Sequence, residues 1–384
     1  MAKFKILSLD GGGVRGAFTA AFLSELEREI GKPIAEHFDL IAGTSTGGII
    51  ATALAMGEGA HQIQKFYQDR APRIFQRRRP LQLGRYWIFG RLVDWLLARR
   101  GMDINLDGLL QSKYDGKELR AALDDMLGTR TFANAITRLV VPAVDLGSGK
   151  PTVFKTPHLR HAASRDRRYL ATDIVMATTA APTYFPHAAI GEGSAYCDGG
   201  LWANNPSLVA YTEAMMIRRD LEEENRHPGF SLDEILILSI GTGEPRYSML
   251  PPATGGLGWW GPRIVDTLSI SQSQSAEQMA SLMLGPQRYH RINYQLPDST
   301  WKLDSAHLIN QLVQFGQKEA HTHLARLVPL FFDEPVVPFE HRSSVSPVPP
   351  RVSGVELARG ASLDGAQTAE ESRAQHGGTK KGAA

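Results

Sequence analysis

Cysteine is nearly missing from this 384-residue chain, with Cys197 the only one. A single thiol excludes an intrachain disulfide and any thiolate metal cluster, and points to a reducing, cytoplasm-like compartment. There is no run of about 18 uncharged apolar residues, so no membrane-spanning helix is expected. A cleavable signal is not expected either, because Asp10-Gly11-Gly12-Gly13 arrives before an apolar signal core is complete. Charge of one sign is also lacking. The 42 Lys and Arg against 40 Asp and Glu leave a formal net charge of +2, which argues against a general attraction to nucleic acid polymers. No histidine–carboxylate cluster stands at ligand spacing, so independence from calcium, zinc and any other cofactor is expected.

What the chain does have is the composition of a globular protein, 42% hydrophobic and 21% charged, long enough for one large core or two modest ones. Residues 3–9 read as a short apolar strand ending in the Gly11–Gly13 turn. Helical spacing then puts Phe18, Ala21, Phe22, Leu26 and Ile30 on one face of residues 14–30. A second strand at 38–42, a second glycine turn and a small-residue helix through Met56 repeat the grammar of an α/β protein. Further strands are expected at 139–144, 152–155, 195–197, 235–240 and 289–294, and helices near 60–71, 105–127, 206–224, 262–284 and 305–329. One mixed sheet with helices on both faces accounts for this order, and no internal repeat is visible. From Pro335 onward Pro, Ser, Gly, Ala and charged residues dominate. That composition predicts a domain over 1–334 and a flexible tail over 335–384.

Gly43-Thr44-Ser45-Thr46-Gly47-Gly48 follows the apolar run Phe38-Asp39-Leu40-Ile41-Ala42. A serine with glycines at minus two and plus two, between strand and helix, reads as a nucleophile elbow. Side chains at Gly43 or Gly47 would clash with the neighbouring elements, and the strained turn lifts the Ser45 hydroxyl clear of the sheet. The short pattern alone is not specific.

A serine hydroxyl is a weak nucleophile and needs a base. Asp198-Gly199-Gly200 follows the strand at 195–197, and an aspartate at a strand end can project toward the rim where Ser45 emerges. The competing reading makes Asp198 a turn former that caps the next helix. His227, His290 and His307 remain open as bases on sequence alone. Asp10-Gly11-Gly12-Gly13-Val14-Arg15-Gly16 supplies bare backbone at a helix start, suited to an oxyanion formed in acyl transfer. Arg15 adds positive charge. The same glycines satisfy G-x-G-x-x-G, but the dinucleotide reading also needs an acid at the end of the second strand. That strand ends in Ala42-Gly43-Thr44-Ser45, with Asp39 at its start.

In their order these motifs closely resemble those of the patatin-like phospholipases. Asp10–Gly16 matches the anion-hole motif, Gly43–Gly47 the serine motif and Asp198–Gly200 the D-G-G/A motif. Thr179–Pro186 and Trp202-Ala203-Asn204-Asn205-Pro206 look like further family blocks, so the resemblance spans roughly residues 3–330. It implies a three-layer α/β fold and a Ser–Asp dyad without histidine, acting on fatty-acyl esters of membrane phospholipids. Ser45 is then the nucleophile and Asp198 the base. Gly11, Gly12 and Gly13 form the oxyanion loop, with Arg15, Gly16, Gly43, Gly47, Gly199 and Gly200 in support. The texture is most similar to bacterial members activated by a cyclic dinucleotide in antiphage defence. That implies a cytoplasmic enzyme, peripheral at the inner face of the membrane when active.

Two stretches suit a lipid surface. Residues 70–100 hold nine arginines and one acid, Asp94, interleaved with Tyr86, Trp87, Phe89 and Trp95. Nucleotide contact draws on the same chemistry, and a solvated basic insertion is the plain alternative. Trp259 and Trp260 lie in a glycine- and proline-rich loop, able to meet a bilayer, cover a cleft or pack on the body.

Overall fold

A computed structural model of the chain describes residues 3–76, 111–159, 166–191, 193–224, 226, 229–244, 260, 263–298 and 300–341. Its centre is an eight-stranded mixed sheet. The strands are β1 (Phe4–Leu9), β2 (Leu40–Gly43), β3 (Arg138–Asp145), β4 (Lys150–Lys155), β5 (Ala188–Ile190), β6 (Ser194–Asp198), β7 (Ile235–Ile240) and β8 (Tyr289–Ile292). The spatial order is β5-β6-β3-β2-β1-β7-β8, with β4 also paired to β3. β3, β2, β1, β7 and β8 run parallel to one another, whereas β4 and β6 are antiparallel to β3 and β5 is antiparallel to β6.

Central parallel strands must be apolar on both faces, and β1 and β7 are buried at every position. Their side chains sort by the two-residue period of a strand. Leu7, Leu9, Ile41, Leu238 and Ile240 join one core with α1 (Gly16–Ile30), α2 (Thr46–Ala55), α3 (Ala60–Ile74), α4 (Lys117–Leu127), α5 (Ala171–Thr179) and α9 (Ile309–Leu327). Phe4, Ile6, Leu40, Ala42, Ile235 and Ile237 join the other with α7 (Ser207–Glu223) and α8 (Ile264–Leu284). The short α6 (Gly200–Ala203) follows β6 directly. These are the three expected layers.

One feature of the register places the site. Val140 pairs with both β2 and β4, so those strands lie on opposite edges of β3. Ala143 pairs with both β4 and β6, so β6 shares the β2 edge. β2 covers β3 at 138–140, and β6 covers it at 143–145 from the opposite direction. The carboxyl ends of β2 and β6 therefore meet head to head, and Ser45 and Asp198 follow from that meeting.

Several expected elements differ at their ends. The helix expected over 105–127 starts only at Lys117, because Gly116 takes a left-handed φ of 76° and Asp115 caps the Lys117 N–H at 2.9 Å. Residues 105–110 lie outside the described residues. The stretch 305–329 resolves into a 3-10 turn, α9 and a π-helical turn over Val328–Phe332. The three-residue β5 has too little pattern to be read from sequence. Residues 335–341, the start of the expected tail, lie on the body. There the Val336 N–H donates to the Glu36 carbonyl at 2.8 Å and His341 Nε2 donates to the Ala135 carbonyl at 2.6 Å. The rest of that stretch, 342–384, lies outside the described residues.

Candidate active site

The turn after β2 is an elbow. Ser45 sits at φ 53° and ψ −120°, a region L-residues avoid at a cost of about 1–3 kcal/mol. Tight packing enforces it: a methyl group on Gly47 would collide with the Leu9 carbonyl oxygen, and one on Gly43 with that of Gly47. The Ser45 N–H donates to Thr178 Oγ1 at 3.0 Å, and that hydroxyl donates to the Pro142 carbonyl at 2.6 Å. Thr178 was not singled out in the sequence. It lies on α5, joined to the elbow by tertiary packing alone.

Ser45 Oγ donates to Asp198 Oδ2 at 2.6 Å. The other carboxylate oxygen, Oδ1, accepts the Gly200 N–H at 2.6 Å, so Asp198 serves as turn former and serine partner at once. Gly199 lets the turn press against the Pro142 carbonyl. Burial pushes the Asp198 carboxyl up to about 6, against the opposing pull of the hydrogen bonds from Ser45 and Gly200. Among the described residues no histidine lines the cleft. His290 is turned away on β8, donating to the Gln287 carbonyl at 3.3 Å with its ring against Phe331. His307 falls in the turn before α9, outside the cleft lining. His227 lies outside the described residues.

The glycine loop after β1 passes directly over the serine, with a methyl on Gly11 placed 3.2 Å from Ser45 Cβ. Here one expectation is corrected. The Gly11 N–H donates to the Asn204 carbonyl at 3.0 Å, so it is not open to an oxyanion. The N–H groups of Gly12 and Gly13 make no hydrogen bond among the described residues and border the cleft. Gly13 holds φ 58° while the next N–H, that of Val14, is tied to the Leu303 carbonyl at 2.8 Å. Arg15 Nε donates back to the Gly12 carbonyl at 3.3 Å, and Gly16 opens α1 against Thr46 and Tyr67.

Beneath the loop lies a buried ion pair. Arg291 on β8 grips Asp10 with two bonds of 2.8 and 2.6 Å and reaches Ser239 at 2.8 Å. Burial raises the Asp10 carboxyl while Arg291 acts against it. The partners are 281 residues apart, and no local signal marks Arg291. Removing one member of a buried pair strands the other charge. Arg291→Ala is therefore expected to cost about 3–5 kcal/mol in urea-melt stability and to loosen the Asp10–Gly13 turn. A loss under about 1 kcal/mol would show the pair to be dispensable.

Serine, aspartate and loop open into one cleft of about 100 Å³. Ile49, Phe66, Ile74, Phe75, Leu119 and Phe185 give it an apolar wall, suited to a hydrocarbon chain. Of the arginine-rich stretch, 77–100 lies outside the described residues, as does Trp259. Arg70 pairs with Asp125 at 2.8 Å, and Trp260 is 37% exposed. Cys197 is buried in β6, and burial raises its thiol. The dinucleotide reading fails on geometry, since β2 ends in the elbow and Asp39, at its start, accepts the Lys5 N–H at 2.8 Å. Among the described residues no helix is long and apolar enough to cross a membrane, and no group of three or more His, Cys, Asp or Glu is placed to hold a metal ion.

The site thus joins a serine elbow, a facing aspartate and a glycine loop on a three-layer α/β fold. The family profile for patatin-like phospholipases matches residues 7–211, and the chain belongs to that family. It is 36% identical over 293 residues to a cGAMP-activated phospholipase of Vibrio cholerae, covering 73% of this chain and 76% of the relative. It is 37% identical to a cGAMP-activated phospholipase of Escherichia coli, covering 67% of each. A third relative of that name, from Pseudomonas aeruginosa, is 31% identical over 77% of this chain and 80% of its own.

Proposed function

We propose that the chain hydrolyses fatty-acyl esters of membrane phospholipids through a Ser45–Asp198 dyad. The observation that carries this reading is the 2.6 Å bond from Ser45 Oγ to Asp198 Oδ2 in a cleft that no histidine lines among the described residues. Asp198 takes the hydroxyl proton as Ser45 Oγ attacks the ester carbonyl carbon, and the N–H groups of Gly12 and Gly13 hold the resulting oxyanion. Collapse of the tetrahedral intermediate expels the lyso-lipid alkoxide, which takes the proton from Asp198. Water then gives a proton to Asp198 and attacks the acyl-serine; the fatty acid leaves and the proton returns to Ser45. The raised Asp198 carboxyl suits this work, being a stronger base than an exposed carboxylate yet ionised at neutral pH.

Three relatives whose names join phospholipase activity to cGAMP support a second part of the reading. A cyclic dinucleotide activates this chain, which then acts peripherally at the inner face of the host membrane and degrades it as antiphage defence. The test is fatty-acid release from phospholipid vesicles with EDTA present, with and without cyclic GMP–AMP. Wild type is expected to be active with the nucleotide and indifferent to EDTA, whereas Ser45→Ala and Asp198→Asn are inactive. Release that survives either substitution would sink the dyad, and wild-type release equal with and without the nucleotide would sink the activation.

A further inference from the structure

The cleft also carries two opposite charges that take no part in the proton transfers of the dyad. Asp266, in the first turn of α8, lines it, and its buried Oδ1 has no hydrogen-bond partner among the described residues. An acid near a helix N-terminus is ordinary, but the dipole does not account for an oxygen buried without a donor in a cleft wall. Arg15 lines the same cleft, and among the described residues only its Nε is engaged, on the Gly12 carbonyl. Arg15 is the foremost attraction on Asp266, yet no ion pair joins the two. The neighbouring acid Asp304 is satisfied by contrast, bonded by Lys113 and by the Tyr114 hydroxyl at 2.7 Å. A guanidinium with open N–H donors and a carboxylate lacking one thus face a single cavity.

We propose that Arg15 and Asp266 form a headgroup subsite for primary-amine phospholipids, Arg15 meeting the phosphodiester and Asp266 Oδ1 the ammonium. The inference rests on the phospholipase reading of the same cleft. Oδ1 needs a donor: a primary ammonium has N–H groups, whereas a quaternary ammonium has none. A glycerol headgroup offers only neutral hydroxyl donors, which make weaker bonds to a carboxylate than a charged donor does. Burial pushes the Asp266 carboxyl upward, and an ammonium partner supplies the positive charge that holds it ionised.

The test uses the full chain with cyclic GMP–AMP on mixed micelles of phosphatidylethanolamine, phosphatidylcholine or phosphatidylglycerol. Wild-type kcat/KM is expected to be about tenfold higher on phosphatidylethanolamine than on either other lipid. Asp266→Asn is expected to bring the three within about twofold, mostly by a loss on phosphatidylethanolamine. A second arm needs no variant. Soluble glycerophosphoethanolamine is expected to inhibit hydrolysis of an uncharged p-nitrophenyl ester at about tenfold lower concentration than glycerophosphocholine. Hydrolysis of all three lipids without preference, or a preference that Asp266→Asn leaves in place, overturns the subsite while the hydrolase stands. No lipid hydrolysis by wild type would overturn the phospholipase reading itself.

Discussion

Ser45→Ala is expected to lower fatty-acid release about 10⁴-fold or more while the protein stays folded, because the oxygen proposed to attack the ester is itself removed. The two nucleophile types that flank the dyad are ill placed to replace it: Cys197 is buried in β6 with its thiol raised, and Thr46 Oγ1 is engaged with the Tyr67 hydroxyl. A companion variant separates chemistry from structure. At φ 53° and ψ −120° the backbone of residue 45 stores strain that glycine does not feel. Ser45→Gly is thus expected to be equally inactive yet about 1 kcal/mol more stable than Ser45→Ala, which loses the same hydroxyl, a difference in Tm of roughly 2 °C. Fatty-acid release and a thermal melt on both variants check this pair. Activity retained within tenfold of wild type would remove Ser45 from the reaction. A Ser45→Gly protein that melts no higher than Ser45→Ala would show that the elbow is not strained.

The elbow was legible because its requirements are local. Gly43, Gly47 and the apolar strand before them are consecutive in the chain, and the steric reasons for them lie within one turn. The general place of Asp198 at a strand end was legible for the same reason. What sequence left open was whether Asp198 or a histidine faces Ser45. That depends on β6 sharing an edge of β3 with β2, which brings together two residues 153 apart in the chain. The Gly11 N–H is a subtler case. A glycine run looks like three equivalent donors, and only the approach of Asn204 shows that one is taken. Thr178 and Arg291 carry no local signature, since each acts through a contact between distant elements. The late start of α4 was readable in hindsight from Asp115-Gly116, a stop that the apolar spacing around it concealed.

Asp198→Asn should abolish activity and stabilise the protein together, and the two effects share one cause. With the carboxyl raised from its ordinary 3.8 to about 6, the folded protein binds this proton more tightly than the unfolded chain does. Ionised Asp198 therefore destabilises the fold: the penalty is absent below pH 3.8, grows between 3.8 and about 6, and is complete above it. At about 1.4 kcal/mol per pH unit it reaches up to about 3 kcal/mol. Asparagine keeps an oxygen for the Gly200 N–H but carries no charge. The variant is expected to melt above wild type at pH 7.5 and level with it at pH 4. Catalysis runs the opposite way, because only the ionised carboxylate can take the Ser45 proton. Wild-type kcat/KM should fall as pH drops through about 6, and Asp198→Asn should lose about 10³–10⁴-fold at every pH above that. A histidine base would not yield this pairing, since removing a mere orienting carboxylate would leave the titration of the imidazole in the residual activity. A variant with a residual bell or step near pH 6 to 7, or one less stable than wild type at pH 7.5, would take the base's role away from Asp198.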